Sequence, residues 1–356
     1  MPTLFDPLTV RSVTLRNRIG VSPMCMYSSE DGLANDWHLV HLGSRAAGGA
    51  GLILTEASAV TPEGRISPND AGMWSDGHIE GWARVTRFVR SQGAVIGMQL
   101  AHAGRKAGTR RPWDRDLPPL TPESGGWTPV GPSPLAFGPD HAVPRELSIA
   151  DIAGVQAAFR DAARRAHDAG FNALEIHSAH GYLSHEFLSP ISNQRTDRYG
   201  GSFDNRVRFL VETAQQVRTV WPESLPLFVR LSCSDWIEGG WSLDDSIELA
   251  RRLKAEGVDV MDCSSGYIAP GVTYPVGPGW QTHFAERIRR EAGILTAAVG
   301  EVTSAQQANE IVRSGTADLT LLGREMLRDP HFAYHASREL EAKRTVRMAT
   351  QYDYAV

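Results

Sequence analysis

Between Ile176 and Leu183 the chain reads I-H-S-A-H-G-Y-L, which sets two imidazoles, His177 and His180, and a phenol, Tyr182, within six positions. Two neutral imidazoles can donate to one electronegative substrate atom and stabilise charge developing on it, as an oxyanion hole does. A phenol with an ordinary pKa near 10 keeps its proton at neutral pH and can deliver it to a neighbouring atom. The same stretch admits a metal reading, because His177 and His180 with Glu175 as third ligand could hold a divalent ion in a metal-dependent barrel lyase. A lone histidine is most often a core group bonded to backbone. Three such donors clustered where a strand must end argue for a site.

The elements that would position them alternate. Strand-like runs fall at Arg18–Met24, Gly51–Ala57, Ala94–His102, Ala173–His177, Leu225–Ser232, Val258–Ser264, Ile294–Gly300 and Ala317–Gly323. Amphipathic stretches such as Ile149–Ala169, Asp204–Val220, Leu243–Ala255 and Ser304–Ser314 lie between them. Capping pairs are expected at Ser148 with Asp151, Ser242 with Asp245 and Thr303 with Gln306. Gly93, Gly170, Gly257 and Gly315 stand where helices should stop. Eight such units imply an α/β fold, a closed (β/α)8 TIM barrel forming a single domain over residues 1–356. No G-x-G-x-x-G follows the first run, as an open nucleotide-binding sheet would require. Gly104–Arg145, rich in Pro, Gly and Trp, is a long insertion after strand 3. It reads as a lid or rim, or as an insertion away from the site.

In such barrels the site lies at the C-terminal strand ends. Period-two alternation puts Glu175 and His177 on the inner face and Leu174 and Ile176 toward the helices. Gly300, Gly323 and Arg324 after strands 7 and 8 read as a phosphate site, with backbone N–H groups and a bidentate guanidinium. Arg230 on strand 5 should point inward, either into a salt bridge with an interior acid or toward an anionic cofactor ring. Gln99 offers a donor and an acceptor to an amide-like edge. A flat heterocycle with a phosphate tail, such as flavin mononucleotide (FMN), would use all of these.

Composition narrows the partners. Of 356 residues, 36 are Lys or Arg and 41 Asp or Glu, and the net charge of -5 gives no basic field for nucleic acid. No apolar run approaches the roughly 18 residues of a membrane span, and the first residues lack signal-peptide character. Three scattered cysteines argue against a disulfide framework, a structural zinc site or an iron–sulfur cluster. A cytoplasmic protein without membrane or nucleic-acid partners is the expectation.

With these residues in place, the chain resembles the Old Yellow Enzyme family of flavin-dependent ene-reductases, most closely its thermophilic-like bacterial branch. The resemblance rests on L-x-N-R-I at Leu15–Ile19, S-P-M-C-x-Y at Ser22–Tyr27, W-H-x-x-H at Trp37–His41 and G-G-A-G-L at Gly48–Leu52. It continues with Q-L-x-H-A-G-R-K at Gln99–Lys106, the motif from His177, and S-N-x-R-T-D-x-Y-G-G-S-x-x-N-R at Ser192–Arg206. It implies non-covalent FMN, reduced by NADPH or NADH, and hydride transfer from flavin N5 to the C=C bond of enones and enals. It assigns FMN contacts to Ser22, Pro23, Met24, Cys25, Ala57, Gln99, Arg230, Gly300, Gly323 and Arg324. His177 and His180 are assigned the substrate oxygen and Tyr182 the proton, with Tyr27 and Lys106 completing the substrate pocket. Cys25 is expected to tune the flavin, whereas Cys233 and Cys263 read as small buried hydrophobes. A homodimer or homotetramer is implied, although the C-terminal tail, 343–356, ends in Gln351–Val356 without the arginine that relatives insert into a neighbouring site. A dienoyl-CoA-reducing relative would need another domain and a cysteine cluster. A flavin enzyme acting on tRNA would need a basic surface.

Overall fold

The eight short runs rich in branched aliphatic residues become eight parallel strands closed into one barrel. They are β1 (Ile19–Val21), β2 (Leu52–Ala59), β3 (Val95–Ala101), β4 (Ala173–Ser178), β5 (Leu227–Ser232), β6 (Val260–Ser264), β7 (Leu295–Ala298) and β8 (Leu319–Leu322). The computed structural model describes residues 1–356 except Arg115, Lys343, Arg344 and Val356. The expected insertion and tail therefore fall partly outside the described residues, at Arg115 and at Lys343, Arg344 and Val356 respectively.

Alternation sorts the side chains. Leu174, Ile176, Val229, Leu231 and Met261 face the helices and join the main core. Leu52, Leu54, Val95, Ala173, Phe228, Val260, Ala297, Leu319 and Leu321 form a second, separate apolar cluster inside the barrel. A hairpin, Leu8–Val10 paired with Val13–Leu15, adds Leu8, Val10, Val13 and Leu15 to that inner cluster and so plugs the barrel at the N-terminal strand ends. Each buried aliphatic side chain there is worth about 1.5–3 kcal/mol relative to exposure. The strand reading above passes over this hairpin, although Leu8 to Leu15 alternates.

The expected helices stand at Ile149–Asp168, Phe203–Arg218, Leu243–Ala255 and Ala305–Arg313. Ser148 with Asp151 and Ser242 with Asp245 are capping boxes. The third cap moves by one residue: Ser304, not Thr303, accepts from the Gln307 N–H, and the Thr303 N–H donates to Gln307 Oε1. Gly93, Gly170, Gly257 and Gly315 all adopt positive φ past helix ends.

Strand boundaries differ in ways that shape the site. The first strand stops at Val21 rather than Met24, because Pro23 has no N–H to offer the ladder; Ser22 N–H makes the last rung to Leu322 O at 3.0 Å. The second runs on to Ala59 through a bulge between Leu54 and Ala57, where the Thr55 hydroxyl accepts the Gln99 N–H. Strands 7 and 8 end at Ala298 and Leu322, which leaves Gly300 and Gly323 in loops.

The insertion holds only short turns and a two-residue pairing, Val130–Gly131 with Arg145–Glu146. Arg195, within the long Ser192–Arg206 string, ties it down by donating to Pro132 O and Leu147 O at 3.0 and 2.6 Å. No helix among the described residues is long and apolar enough to cross a membrane.

Candidate active site

At the C-terminal end of the barrel a cleft of about 560 Å³ is lined at one side by Lys106, His180 and Tyr182, and at the other by Gly300, Gly323 and Arg324. The donors of the β4 loop and the glycine loops of β7 and β8 therefore open into one cavity. His177 lies next to it, its ring edge-on to His180 at 5.3 Å and to Tyr182 at 5.2 Å between centroids. Tyr27 and Cys25 pack with Tyr182 against Ile66, Ala103 and Ala107. Ser22, Ala57, Gln99 and Arg230 are buried beside it, with Pro23, Met24 and Cys25 half-buried.

Backbone geometry places the donors. His180 and Gly181 both adopt positive φ, 58° and 70°, so the chain reverses sharply before Tyr182. His180 N–H donates to Ser232 Oγ at 2.8 Å, and its Nε2 meets Ser264 Oγ at 2.7 Å. The Gly181 N–H donates to His185 Nδ1 at 2.9 Å, and His185 Nε2 then donates to Asp235 at 2.8 Å. Lys106 Nζ donates to His180 O and Tyr267 O at 2.8 and 2.9 Å, which leaves one of its three N–H groups for the cleft. Tyr267, at φ 70°, and Tyr27, at φ 51°, are further non-glycine residues in the left-handed region. Such strain persists only where surrounding bonds hold it.

A Cβ at Gly181 would collide with the Tyr267 carbonyl oxygen, and positive φ disfavours any side chain there. Gly181→Ala is therefore expected to displace Tyr182 and lower the melting temperature. Thermal unfolding and near-ultraviolet circular dichroism check this; an unchanged spectrum and transition would contradict the packing described.

Electrostatics keep the imidazoles and the phenol of the site neutral. Burial, then the nearby Arg230 charge, pushes His177 and His180 well below the ordinary imidazole value of 6.5. His177 Nδ1 accepts the Ala179 N–H, so its proton sits on Nε2. Burial, then Cys25 and Asp70, pushes the Tyr182 phenol well above 10. Burial also raises the Cys25 thiol and lowers Lys106 to about 7.

Arg230 meets an interior acid, the first of its two readings. Its guanidinium lies 3.4 Å from Asp262, the interior acid, and donates to Ser22 Oγ at 3.0 Å, while Nε has no partner. Arg324 is exposed and paired with Glu301 at 3.2 Å. The ligand set His177, His180 and Glu175 is not assembled: Glu175 accepts from Gln99 Nε2 at 2.7 Å, and no three His, Cys, Asp or Glu side chains converge as ligands among the described residues. Cys233 and Cys263 are fully buried core thiols.

Several positioning residues carry no role in the sequence reading. Asp262 and Ser264 follow Val260 at period two and share its inward face, so the rule that found Glu175 and His177 reaches them as well. His185 and Asp235 are 50 positions apart, and no local signal joins them.

A family model described as the NADH:flavin oxidoreductase / NADH oxidase family matches residues 3–343. The NADPH dehydrogenase of Geobacillus sp. (strain WCH70) is 48% identical over 98% of this chain and 97% of its own. That of Bacillus subtilis (strain 168) is 48% identical over 96% of each. The solved structure of an old yellow enzyme homologue from Zymomonas mobilis superposes with a TM-score of 0.79 at 27% identity, covering 98% of this chain and 96% of that one. The motifs, the closed barrel and these likenesses agree: the chain belongs to the NADH:flavin oxidoreductase / NADH oxidase family, the Old Yellow Enzymes, and is an FMN-dependent NAD(P)H oxidoreductase.

Proposed function

We propose that this oxidoreductase is an ene-reductase, acting on the activated C=C bond of small α,β-unsaturated aldehydes and ketones. The observation that carries the reading is the single cleft joining His180 and Tyr182 to Gly300, Gly323 and Arg324. Its volume falls in the range of small-molecule sites, and the residues present fit a phosphate-tailed heterocycle. Gly300 and Gly323 line the cleft beside Arg324, whose surface pair with Glu301 is weak enough to exchange for a phosphate. Arg230 Nε, buried without a partner, and Gln99 would face the ring system, with Ser22, Pro23, Met24, Cys25 and Ala57 around it. FMN bound there supplies the hydride it has taken from NADPH or NADH.

The chain's own residues do the rest. His177 Nε2–H and His180 donate to the carbonyl oxygen and hold the charge that develops on it. When Ser264 donates to His180 Nε2, the proton of that ring sits on Nδ1 and is free for substrate. Tyr182 donates the proton to the α-carbon. Tyr27 and Lys106 line the pocket, and the Gly104–Arg145 insertion borders it. The cytoplasm, where three free cysteines stay reduced, is the compartment this reading assumes. The assembly it assumes is a homodimer or homotetramer, for which exposed Trp37 and Val40 offer apolar surface.

The test is anaerobic. The purified protein is expected to be yellow, to be bleached by NADPH, and to be reoxidised by cyclohexenone with saturated product. Because both histidines titrate well below 6.5, reoxidation should show no acid limb centred near that value. A colourless protein, or bleached protein that cyclohexenone does not reoxidise, would overturn the reading. An acid limb near 6.5 that persists in Lys106→Met, which removes the other group titrating near 7, would show a histidine losing function on protonation within reach of neutral pH.

A further inference from the structure

Behind the cleft, one cross-section of the barrel is polar. Gln99, Glu175, Arg230 and Asp262 come from four neighbouring strands and are all buried, both acids completely. Beneath them lies the aliphatic inner cluster closed by the hairpin. Gln99 Nε2 donates to Glu175 Oε1 at 2.7 Å, and Arg230 lies 3.4 Å from Asp262 Oδ2. Glu175 Oε2 and both Asp262 oxygens have no donor. The two acids act on each other's ionisation, and burial raises both.

Two acids and one guanidinium do not balance. With both acids ionised, two buried carboxylates would repel in a medium of low dielectric, and three orphaned acceptors would remain. One proton removes the repulsion and engages two of the three oxygens, because an O–H on one carboxyl donates to the other and leaves the third to Arg230. Gln99 already serves Oε1 of Glu175, which leaves Oε2 to carry the proton. Burial and the neighbouring acid act in the same direction, raising Glu175 far above the carboxylate range.

We propose that Glu175 and Asp262 are positioning residues that share one proton, and that the single anion left to the pair neutralises Arg230 and holds it against the flavin. The hydrogen bonds then run one way, from Gln99 to Glu175 to Asp262, with Arg230 bridging Asp262 and Ser22. The pair thereby sets how much positive charge the flavin feels when reduction makes it more negative. The idea rests on the assignment of Arg230 to the flavin made above.

Single and double substitutions separate the possibilities. Glu175→Gln leaves Asp262 as the anion, and Asp262→Asn lets Glu175 ionise in its place. Each single variant should keep the flavin midpoint potential of the wild type. The double variant, with Arg230 uncompensated, should favour reduced over oxidised flavin at least tenfold at a fixed ambient potential, about 30 mV for a two-electron couple. Infrared spectra of the wild-type holoenzyme should contain a buried carboxylic-acid C=O band that persists well above the ordinary carboxylate range and vanishes in both single variants. Absence of that band from the wild type would overturn the shared proton, as would a tenfold shift in either single variant. These readouts decide the matter even if the double variant fails to fold. A wild-type band with an unshifted double variant would overturn the coupling to flavin. Arg230→Lys then locates the failure: unchanged FMN affinity and potential would mean that Arg230 does not face the flavin. A change in either would confine the failure to the pair.

Discussion

Replacing Tyr182 by Phe is expected to slow reoxidation of the reduced protein by an enone about 10²–10⁴-fold, the range typical of a general acid, while reduction by NADPH stays close to wild type. The asymmetry follows from what the substitution removes. The Tyr182 ring is held edge-on to His177 at 5.2 Å, and the Lys106 ammonium lies 5.2 Å from its centroid. Cys25 and Tyr27 pack with it against Ile66, Ala103 and Ala107. Phe keeps these contacts and loses only the O–H. Burial keeps that hydroxyl protonated, since its pKa lies well above 10, so the wild-type group is a competent donor across the physiological range. Stopped-flow measurement of the two half-reactions decides the matter. Equal slowing of both would mean that Tyr182 shapes the pocket and another group delivers the proton.

The largest effect on stability should come from Asp235, which never meets the substrate. Asp235→Ala is expected to cost about 3–5 kcal/mol, because it strips the acceptor from three buried donors, each costing about 1–3 kcal/mol when left unsatisfied. Asp235 and His185 are both completely buried. One carboxylate oxygen takes His185 Nε2 at 2.8 Å, and the other takes Ser189 Oγ at 2.6 Å and Trp241 N–H at 2.7 Å. Burial alone would raise the Asp235 pKa, yet His185 and these donors outweigh it and bring the value below 3.8. A carboxyl depressed in the folded state adds stability above its unfolded pKa and loses it as the pH falls through the folded one. The loss therefore appears in full at neutral pH. It should also loosen Gly181, whose N–H depends on His185 Nδ1. Denaturant titration gives the energy; a loss under about 1 kcal/mol would show that the pair is not a keystone of this loop.

How far the sequence reaches depends on the range of the interaction. The eight strands are legible because each is a short apolar run between turn residues, and β4 declares its inner face through Glu175 and His177. Arg230 is legible as an inward charge, and Asp262 could have been read as its counter-ion from its alternation with Val260. Strand ends are less so: Pro23 shortens the first, and the Leu54–Ala57 bulge carries the second past its expected end. His185 and Asp235 escape altogether, since their pairing exists only once β4 and β5 stand side by side. The long Ser192–Arg206 string, the most distinctive text in the chain, works as an anchor for the insertion through Arg195 rather than as part of the cleft.

The hairpin at Leu8–Leu15 has a consequence for biogenesis. Its apolar residues pack against Leu319 and Leu321, Leu4 N–H bonds Asn309 Oδ1, and β1 pairs with β8. This segment thus waits for partners made about 305 residues later before it can dock. Contacts this distant in sequence slow folding, and a waiting apolar hairpin is a natural holding point for chaperones during translation. The plug that seals the barrel makes its closure a late event in the life of each new chain.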